Sequence, residues 1–572
     1  MTTKNASQSA GAAEPNEPRT LHELVERRAV ELGERSAMLF PGEDVSFREF
    51  AERVRFLARG LAGLGVQPGA RVGVLLPPSV DSLAFFFAAN RLGAIPVPIN
   101  ARFKGFELHR TIVHSGMHLL VLGSADTAGA LGQDYSEMVR EILPSLPAES
   151  DRELQLAEAP ELRWLLCLDD FSAPGMVGSD GFTAAAGRVS EDEVAEIAGE
   201  VSADDPAIII YTSGTTSAPK GALLTHRSLM SVAQEMAQDR MQLTPQDSIW
   251  NPLPLFHMGG IGFSYIAMYG GARLCHTGFY NPKSGLDLLD QERCTVALAA
   301  FDTIWWPLIN QPEFGDRDLS ALRLVFALGT PERLGGFAAA VPGTRFLNCY
   351  GSTEVASYGA SSMPDDSLEQ CLSTGGKPLR GITYRIVDPE SGESVGPGVV
   401  GEIQCWGTNL FREYFRDPEV TEASFVDGWF RTGDLGVIDE LGQLTFTGRL
   451  KDMLKVGGEN VAAGEIEDYL RRHPAVFEAQ VVGVRDGYYG QVPAAFVQLR
   501  PGHEVTEREL IDFCLGQIAT FRIPRYVRFV TEYPMSGTKI QKFVLAERIA
   551  AELDAAGIEV AERFDSRKKS TL

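Results

Sequence analysis

The sequence predicts an α/β protein. We expect a large N-terminal domain of stacked sheets and helices with a β-rich subdomain, followed by a small mobile α+β C-terminal domain. Strand-like and helix-like patterns alternate over most of the 572 residues. The pattern changes after Gly401 to short strands bounded by glycine, and a compact mixed module of about one hundred residues follows.

Hydrophobic periodicity predicts the N-terminal elements in order. LHELVERRAVEL and FREFAERVRFLARGLAGLG have apolar residues at helical spacing, and the second stretch ends on glycines, which stop helices. RVGVLL is typical of a buried strand, SVDSLAFFFAANRLG of a helix, and IPVPIN of another strand. Residues from about 125 to 200 are polar and acidic, and we expect surface insertions around a few elements there.

The C-terminal elements are read in the same way. GEIQCWG, GWFRTGDLGVID and GQLTFTGR predict short strands with glycine turns. AGEIEDYLRRHP predicts an amphipathic helix, FEAQVVGV and AAFVQLRP predict strands, and ELIDFCLGQIA, YVRFV and a last helix from Val544 follow. We place a disordered tail at 1–18, a large N-terminal domain at 19–450 and a small C-terminal domain at 451–572.

The composition excludes several classes of function. Lys and Arg total 52 against 76 Asp and Glu, and the net charge of −24 argues against nucleic-acid binding and charge-driven docking on anionic lipid. The seven cysteines form no CxxC pair and the nine histidines no HExxH motif, so we expect reduced thiols in a cytoplasmic protein. The apolar run LAFFFAA is too short to be an integral membrane segment. The sequence does not decide between a monomer and a homodimer.

The stretch YTSGTTSAPKG follows the apolar run PAIII and has the composition of a phosphate-binding loop. Glycine allows a sharp turn and a close backbone approach, and successive backbone N–H groups form an anion-binding nest. The pattern differs from a P-loop, and a solvated loop at a strand end is the alternative. The residues expected to bind phosphate are Thr212, Ser213, Gly214, Thr215, Thr216 and Lys220.

This loop resembles the signature of the adenylate-forming superfamily of acyl-CoA synthetases, peptide-synthetase adenylation domains and firefly-type luciferases. Further motifs follow in the family's order, and the resemblance covers nearly the whole chain after the tail, most like bacterial fatty-acyl or related acyl-CoA ligases. The family usually has glycine where this chain has Ser217, so we expect a slightly stiffer loop. The resemblance implies binding of ATP, Mg²⁺ and coenzyme A.

LNCYGSTEV resembles the family's adenine and magnesium motif. Tyr350 would stack on adenine, Thr353 would hydrogen-bond phosphate, and Glu354 would bind Mg²⁺, which prefers carboxylate oxygen. ALGTPE resembles the other wall of the adenine slot, and an ordinary turn is the alternative for both stretches. The resemblance assigns Gly329, Thr330, Pro331, Asn348, Tyr350 and Gly351 to the nucleotide, and Thr216 and Glu354 to the metal.

WFRTGDLG and TGRLKDMLKVGGENV resemble the family's ribose and hinge motifs. Asp434 would accept hydrogen bonds from both ribose hydroxyls, and Arg449 would reach the ribose or a phosphate. Lys451 lies where the family has its hinge, and rotation about it would bring Gly457 and Gly458 to line a tunnel for the thiol. A turn aspartate and a hairpin turn are the alternatives.

PMSGTKIQK resembles the motif that carries the family's catalytic lysine, which makes Lys539 the candidate. The family has glycine directly before this lysine, whereas this chain has Thr538 there and Gly537 one place earlier, so the loop geometry is expected to differ. His257 in PLFHMGG resembles the histidine that gates or orients the carboxylate at the acyl pocket. A solvated lysine and a structural histidine are the alternatives.

The resemblance implies an ATP-dependent acyl-CoA ligase. A carboxylate attacks the α-phosphate of ATP, pyrophosphate leaves, and the acyl group passes from the acyl-adenylate to CoA with release of AMP. A ligase that loads a carrier protein, an oxygenase of the luciferase type and a non-catalytic adenylate-binding relative are the alternatives. We expect CoA as the acceptor of the acyl group, because no carrier-protein domain is seen after the small domain and the stretch KIQKFVL resembles acyl-CoA ligases. The catalytic candidates are Lys539, Glu354, Thr353 and His257.

The acid is expected to be apolar. FSYIAMYGG has no acidic residue where amino-acid-activating relatives usually have an aspartate. FDTIWWPL places Trp305 and Trp306 near the expected pocket, together with Phe263, Tyr265 and Met268, although only one of two adjacent tryptophans on a helix can face it. A medium or long fatty acid and a bulky alicyclic, steroid or terpenoid acid both fit this reading.

Overall fold

The computed structural model describes residues 17–123, 135–147, 152–168, 175–212, 220–329, 331–456, 459–515, 517–536 and 539–562. The chain divides into two compact units. Unit 1 comprises Met1–Thr383 and Trp406–Phe425, and unit 2 comprises Tyr384–Cys405 and Val426–Leu572. The functional domain boundaries expected at 19–450 and 451–572 stay a prediction.

The α-helices follow one another along both units. In chain order they are α1 (Leu21–Leu32), α2 (Phe47–Gly63), α3 (Val80–Arg91), α4 (Gly105–Ser115), α5 (Tyr135–Ile142), α6 (Ser179–Ala186), α7 (Glu191–Glu200), α8 (His226–Glu235), α9 (Met258–Gly270), α10 (Pro282–Gln291), α11 (Asp302–Ile309), α12 (Pro331–Ala340), α13 (Leu368–Ser373), α14 (Pro418–Ala423), α15 (Ala463–Arg471), α16 (Glu507–Cys514) and α17 (Lys542–Ala556). A π-helical turn, Met236–Arg240, continues α8.

The strands are distributed over both units. In chain order they are β1 (Ser36–Phe40), β2 (Glu43–Ser46), β3 (Arg71–Leu75), β4 (Ile95–Pro98), β5 (Leu119–Leu122), β6 (Trp164–Cys167), β7 (Pro206–Thr212), β8 (Lys220–Thr225), β9 (Ser248–Trp250), β10 (Arg273–Cys275), β11 (Val296–Ala300), β12 (Leu324–Ala327), β13 (Arg345–Leu347), β14 (Cys349–Tyr350), β15 (Ala360–Ser361), β16 (Lys377–Pro378), β17 (Ile382–Val387), β18 (Gly401–Gly407), β19 (Glu413–Tyr414), β20 (Phe425–Val426), β21 (Trp429–Ile438), β22 (Leu444–Arg449), β23 (Met453–Val456), β24 (Glu459–Ala462), β25 (Val476–Asp486), β26 (Gly490–Leu499), β27 (Tyr526–Phe529), β28 (Met535–Ser536) and β29 (Lys539–Ile540).

Four sheets, formed by the described strands, organise unit 1. One has the order β13-β12-β11-β9-β10-β1-β2 and is parallel except for its β1–β2 edge. A second, β4-β3-β5-β6, is parallel throughout. Two smaller antiparallel sheets, β19-β8-β7 and β14-β15-β16, carry the predicted phosphate and adenine motifs. Parallel strands need crossover helices, which explains the strand–helix alternation of the sequence.

Local sequence sets the helix boundaries. Thr20 and Glu23 form a reciprocal capping box at the start of α1, and Ser46 and Glu49 form another at α2. α3 is apolar on nearly all sides and is buried from Ser82 to Arg91, as expected of a helix enclosed by its neighbours. Phe87 of α3 packs edge-on against Phe50 of α2 with ring centroids 5.6 Å apart.

The region expected to be a surface insertion contributes to the sheets. Trp164–Cys167 pairs in parallel with Leu119–Leu122, and α6 packs on α2 with Phe182 buried. This strand gives little signal in the sequence, because its four apolar residues lie within a long acidic stretch and are too few to form a periodic pattern. The helices and strands expected from the named N-terminal stretches are present.

Unit 2 contains two sheets and a short hairpin among its described residues. One sheet has the order β17-β18-β21-β20, with β22 paired to β21. The other, β24-β23-β26-β25 with β27 on β26, packs against α15, α16 and α17. The expected C-terminal order of helix, two strands, helix, strand and helix is confirmed in α15–α17 and β25–β27. Between β27 and α17, β28 and β29 form a hairpin with two residues in each strand.

Two buried histidines secure the start of α1. The backbone N–H of Leu21 donates to Nδ1 of His226 at 3.3 Å, and Thr20 Oγ1 lies 3.1 Å from Nδ1 of His22. Burial lowers the pKa of His22 to about 4, and burial together with the nearby His22 lowers the pKa of His226 to about 3. Both rings are therefore neutral in the folded chain near pH 7.

We predict that unit 1 loses stability as the pH falls from about 6.5 towards 4, because the unfolded imidazoles take up protons that the buried rings do not. His22 alone accounts for about 3 kcal/mol of this change. His22→Asn should flatten the pH dependence by that amount in urea unfolding followed between pH 7 and 4. The exposed His503→Asn serves as the control. Superimposable curves for His22→Asn and the parent chain would contradict the assignment.

Candidate active site

The predicted phosphate loop connects two paired strands. Thr212 at the end of β7 is in register with Lys220 at the start of β8, and the Thr212 hydroxyl donates to the Lys220 carbonyl at 3.4 Å. Ser213, Gly214, Thr215 and Thr216 lie outside the described residues. The β7–β8 pairing holds the two ends of the loop together, which a cradle around an anion requires.

Tyr414 joins the lysine of this loop to the predicted metal carboxylate. Its hydroxyl donates to Glu354 Oε1 at 2.9 Å, and Lys220 Nζ lies 4.9 Å from its ring centroid. Burial and the neighbouring Glu354 raise the pKa of the Tyr414 hydroxyl, so it stays protonated as a donor. The backbone N–H of Phe411 also donates to the Glu354 carbonyl at 2.7 Å, which fixes the same turn from the segment that carries Tyr414.

The predicted adenine and magnesium motif forms a tight loop after β14. Cys349 and Tyr350 pair with Ser361 and Ala360 of β15. Gly351 lies so close to the Ser357 carbonyl that an added Cβ would be 1.9 Å from its oxygen, so only glycine fits there. Ala356 and Ser357 both have positive φ, a strained backbone for residues with side chains. Asn348 and Tyr350 are buried, and Thr353 and Glu354 are half-buried on the loop.

His257 lies next to this loop. It occupies the position before the first residue of α9, and its ring packs against Phe256 with centroids 4.7 Å apart. The Ser357 hydroxyl donates to the Met258 carbonyl at 3.3 Å, which ties the start of α9 to the turn after Glu354. The structure therefore brings the histidine motif and the adenine motif together, although they are about one hundred residues apart in sequence.

The second expected wall of the adenine slot follows β12. Gly329 lies two residues after the end of this strand, and Pro331 begins α12. An added Cβ at Gly329 would make ordinary contacts with Leu334 and Trp305, so the protein itself does not demand glycine there. The expectation that Gly329 forms a wall of the adenine slot stays a prediction. Thr330 lies outside the described residues.

A buried aromatic cluster includes Tyr358, which is four residues after Glu354 in the sequence. Phe263 of α9 packs against Phe326 of β12 and Tyr358, with ring centroids 5.0 and 5.2 Å apart. Tyr265 lies on the opposite face of α9, where it packs against Phe87 of α3 at 5.5 Å. The two residues were expected to share a pocket, but two positions along a helix differ by about 200° in direction.

The two tryptophans also differ. Trp305 is fully buried and stacks on Phe337 of α12 at 4.8 Å, whereas Trp306 is half-buried. Trp305 therefore packs in the core between α11 and α12. Met268, like Tyr265, is buried in α9.

The ribose and hinge motifs lie in unit 2. Asp434 of β21 is in register with Arg449 of β22, and Arg449 Nε lies 3.3 Å from Asp434 Oδ1. Lys451 is in a single 3₁₀ turn, Leu450–Asp452. Burial, with the positive charges of Arg449 and Lys542, lowers the pKa of Lys451. Gly457 and Gly458 lie outside the described residues, and the hinge stays a prediction.

The candidate catalytic lysine is part of the β28–β29 hairpin. Lys539 pairs through its backbone with Ser536, and Gly537 and Thr538 lie outside the described residues. Lys542, the second lysine of KIQK, bonds Glu467 of α15 at 2.6 Å. This ion pair anchors the chain directly after the hairpin.

Sequence reasoning missed Tyr414 as a site residue. Its segment, FREYFRDPEV, reads as a polar loop between β18 and β21, and a tyrosine in such a loop gives no sign of its partner. Pairing of β19 with β8, through Tyr414 and Ala222, places the ring beside the phosphate loop. Only that long-range pairing could have revealed the contact with Glu354.

The donor set suits Mg²⁺ and a nucleotide. Mg²⁺ binds through one or two carboxylates plus substrate phosphates and water. Glu354 offers one carboxylate, and Ser352 Oγ beside it is buried without a hydrogen-bond partner. Among the described residues there is no cluster of three or more His, Cys, Asp and Glu side chains that could hold a metal ion.

Family models match both parts of the chain. The AMP-binding enzyme model matches residues 25–415, and the AMP-binding enzyme C-terminal domain model matches residues 465–539. The chain belongs to the AMP-binding enzyme family. The predicted membership of the adenylate-forming superfamily and the predicted α/β fold class are confirmed.

Individual relatives match over nearly the full length. YngI of Bacillus subtilis (strain 168) is 32% identical over 544 residues, 92% of this chain and 97% of that protein. The mitochondrial medium-chain acyl-CoA ligase ACSF2 of Mus musculus is 30% identical over 548 residues, which cover 93% of this chain and 88% of ACSF2. The crystal structure of ATP-bound MatB from Rhodopseudomonas palustris has a TM-score of 0.77 at 28% identity, covering 93% of this chain and 99% of MatB.

These findings establish the activity class. The chain is an AMP-forming acid–thiol ligase of the acyl-CoA synthetase type, which uses ATP, Mg²⁺ and CoA. The roles of the individual residues and the identity of the acid are proposals. Across the described parts of the chain, none of the helices has both the length and the apolar character needed to cross a bilayer.

We predict that Tyr414→Phe weakens the use of Mg²⁺ and ATP because Glu354 loses its phenol donor while the ring beside Lys220 is kept. The magnesium concentration for half-maximal rate should rise and kcat/KM for ATP should fall about tenfold, since a hydrogen bond to a charged group is worth about 1.5 kcal/mol. Steady-state kinetics over a magnesium titration measure both. Tyr384→Phe, in unit 2, is the control, and an unchanged magnesium dependence of Tyr414→Phe would contradict the role.

Proposed function

We propose that this ligase activates a medium-chain fatty acid. The observation that carries the proposal is the aromatic cluster of Phe263, Phe326 and Tyr358 beside the turn that bears Glu354. α9, which supplies Phe263, contains no charged residue. A wall of this kind suits an alkyl chain because burial of apolar surface drives its binding. The relative named as a medium-chain ligase supports the same class.

In the first half-reaction the protein mainly has to position the acid and ATP and to neutralise the negative charge of the phosphates. We assign the β- and γ-phosphates to the loop between Thr212 and Lys220, and adenine to Tyr350 and the segment after Gly329. Thr353 donates to a phosphate oxygen, and His257 orients the carboxylate of the acid. Glu354 holds the magnesium ion, which neutralises phosphate charge when bound. Each group acts by holding reactants in line for attack at the α-phosphate.

The second half-reaction needs the thiol of CoA at the acyl carbon. We propose that the C-terminal part rotates about Lys451 after the first half-reaction. Lys539 then withdraws from the acyl carbon, and Gly457 and Gly458 move in to line the path of the thiol. Asp434 and Arg449 hold the ribose in this scheme. The hydrogen-bond geometry of the β21–β22 ladder fits that role, because it presents a carboxylate and a guanidinium from paired positions.

The acid is tested with purified protein, Mg-ATP and a panel of fatty acids from hexanoic to palmitic acid, together with aromatic, alicyclic, steroid and terpenoid acids. Each mixture runs with and without CoA, and mass spectrometry identifies the products. We expect medium-chain acyl-CoA only with CoA present. A polycyclic acid as the preferred substrate would overturn the substrate class, and acyl-adenylate that ignores CoA would point to a carrier-protein acceptor.

Two variants of α9 sharpen this test. Phe263→Leu opens the aromatic cluster and should shift the ratio of kcat/KM between long and medium acids about tenfold. Tyr265→Leu removes a similar ring from the opposite face of the same helix and should lower stability without changing that ratio. A shift of equal size in both variants would show that Phe263 does not face the acyl group.

We predict that Lys539→Ala impairs adenylate formation far more than thioester formation from supplied acyl-adenylate, by at least about a hundredfold, because its charge is used only in the first half-reaction. Pyrophosphate release and CoA acylation are measured separately. Lys283→Ala, an exposed lysine of α10, is the control. Equal losses in the two half-reactions would remove Lys539 from the catalytic assignment.

A further inference from the structure

A buried arginine clamps the small sheet that carries the nucleotide motif. Arg240 ends the π-helical turn after α8 and is almost fully buried. Its guanidinium donates to the Ser361 carbonyl of β15 and to the Pro378 carbonyl of β16, each at 2.9 Å. One side chain therefore bridges two neighbouring strands from outside the sheet.

The clamped strands are the partners of the predicted adenine segment. Ser361 lies directly opposite Cys349, and Ala360 opposite Tyr350. The backbone N–H of Ser362 donates to the Asn348 carbonyl at 3.0 Å, and that of Gly359 donates to the Tyr350 carbonyl at 3.0 Å. The position of Asn348–Tyr350 is thus set by the strand that Arg240 holds.

Glu235 completes the clamp. Its Oε1 accepts from Nε and Nη2 of Arg240 at 3.1 and 2.7 Å, and its Oε2 accepts from the backbone N–H of Arg380, two residues after Pro378. Both members of the pair are about 4% exposed. A buried ion pair is a weak source of stability, because desolvation offsets much of the attraction, so we attribute to this pair a positioning role at β15 and β16.

The sheet needs external support. β14, β15 and β16 have two residues each, too few for an independently stable ladder. The turn that follows Glu354 contains two consecutive non-glycine residues with positive φ, a conformation that lasts only where the surroundings impose it. The described contacts of Arg240 and Glu235 supply such support at β15 and β16.

We propose that Arg240, held by Glu235, is a positioning residue that sets the nucleotide-binding segment Asn348–Glu354. This inference rests on the proposed assignment of Tyr350 to adenine. Arg240 reaches this segment through β15. The guanidinium is required because it holds two carbonyls and a carboxylate from three separate nitrogens in a rigid plane, whereas the three donors of lysine share one nitrogen atom and lack that spread.

The test compares Arg240→Lys with Arg240→Met, Tyr350→Ala and the control Arg91→Met. Arg91 is also a buried arginine of unit 1, and it pairs with Glu26 and Glu191 away from this sheet. Calorimetry measures the Kd for Mg-ATP, steady-state kinetics give KM for the acid, and thermal unfolding gives stability. Hydrogen exchange reports the amides of Gly359 and Ser362.

We expect Arg240→Lys to keep its fold while raising the Kd for ATP about fivefold or more, with KM for the acid within about twofold of the parent value. The amides of Gly359 and Ser362 should exchange faster. Arg91→Met should lose stability without a change in the Kd for ATP. If Arg240→Met fails to fold, Arg240→Lys decides the question.

Two other outcomes separate this inference from the assignment beneath it. Weakened ATP binding in Tyr350→Ala but parental affinity and exchange in Arg240→Lys would overturn the positioning role alone. Parental ATP affinity in Tyr350→Ala would overturn the adenine assignment, and the inference with it. Equal loss of ATP affinity in Arg240→Lys and Arg91→Met would reduce the effect to general destabilisation and refute the role.

Discussion

The predicted site in unit 1 depends on one short antiparallel ladder, the pairing of Cys349–Tyr350 with Ala360–Ser361. This ladder fixes the segment from Asn348 to Glu354, and the turn beyond it bonds the start of α9 through Ser357. Gly351 allows the turn to pass within contact distance of the Ser357 carbonyl. With so few hydrogen bonds of its own, the ladder relies on buried side chains from neighbouring elements, which couples the site to the core of unit 1.

The chain has a net charge of −24, so it must bind the negatively charged ATP through local groups and not through its overall charge. An acidic surface repels polyphosphate, but salt largely screens that repulsion at distances beyond about 10 Å at ordinary ionic strength. Binding of ATP therefore depends on groups within the site. Under the proposed function Lys220 is one of these groups, and Tyr414 links that lysine to Glu354. Tyr414 is well suited because its ring contacts a cation while its hydroxyl donates to an anion.

α9 separates two environments. On one face, Phe263 joins the aromatic cluster next to the Glu354 turn, and on the other, Tyr265 packs against the buried helix α3. A helix without charged residues can serve both faces because neither is exposed to water. Under the proposed function Phe263 faces the acyl group and Tyr265 faces the core, because the two residues point in opposite directions from the helix.

The sequence by itself determined the helices α1, α2 and α3, the α/β class and the family, because apolar periodicity, capping residues and contiguous motifs are local properties. It could not find β6, whose four apolar residues lie in an acidic stretch, or separate Phe263 from Tyr265. Only the tertiary structure decided that Tyr414 meets Glu354 and that Arg240 holds the strand opposite Tyr350. Those contacts join residues from 60 to 121 positions apart, and their partners are selected by sheet pairing and burial, which no local pattern records.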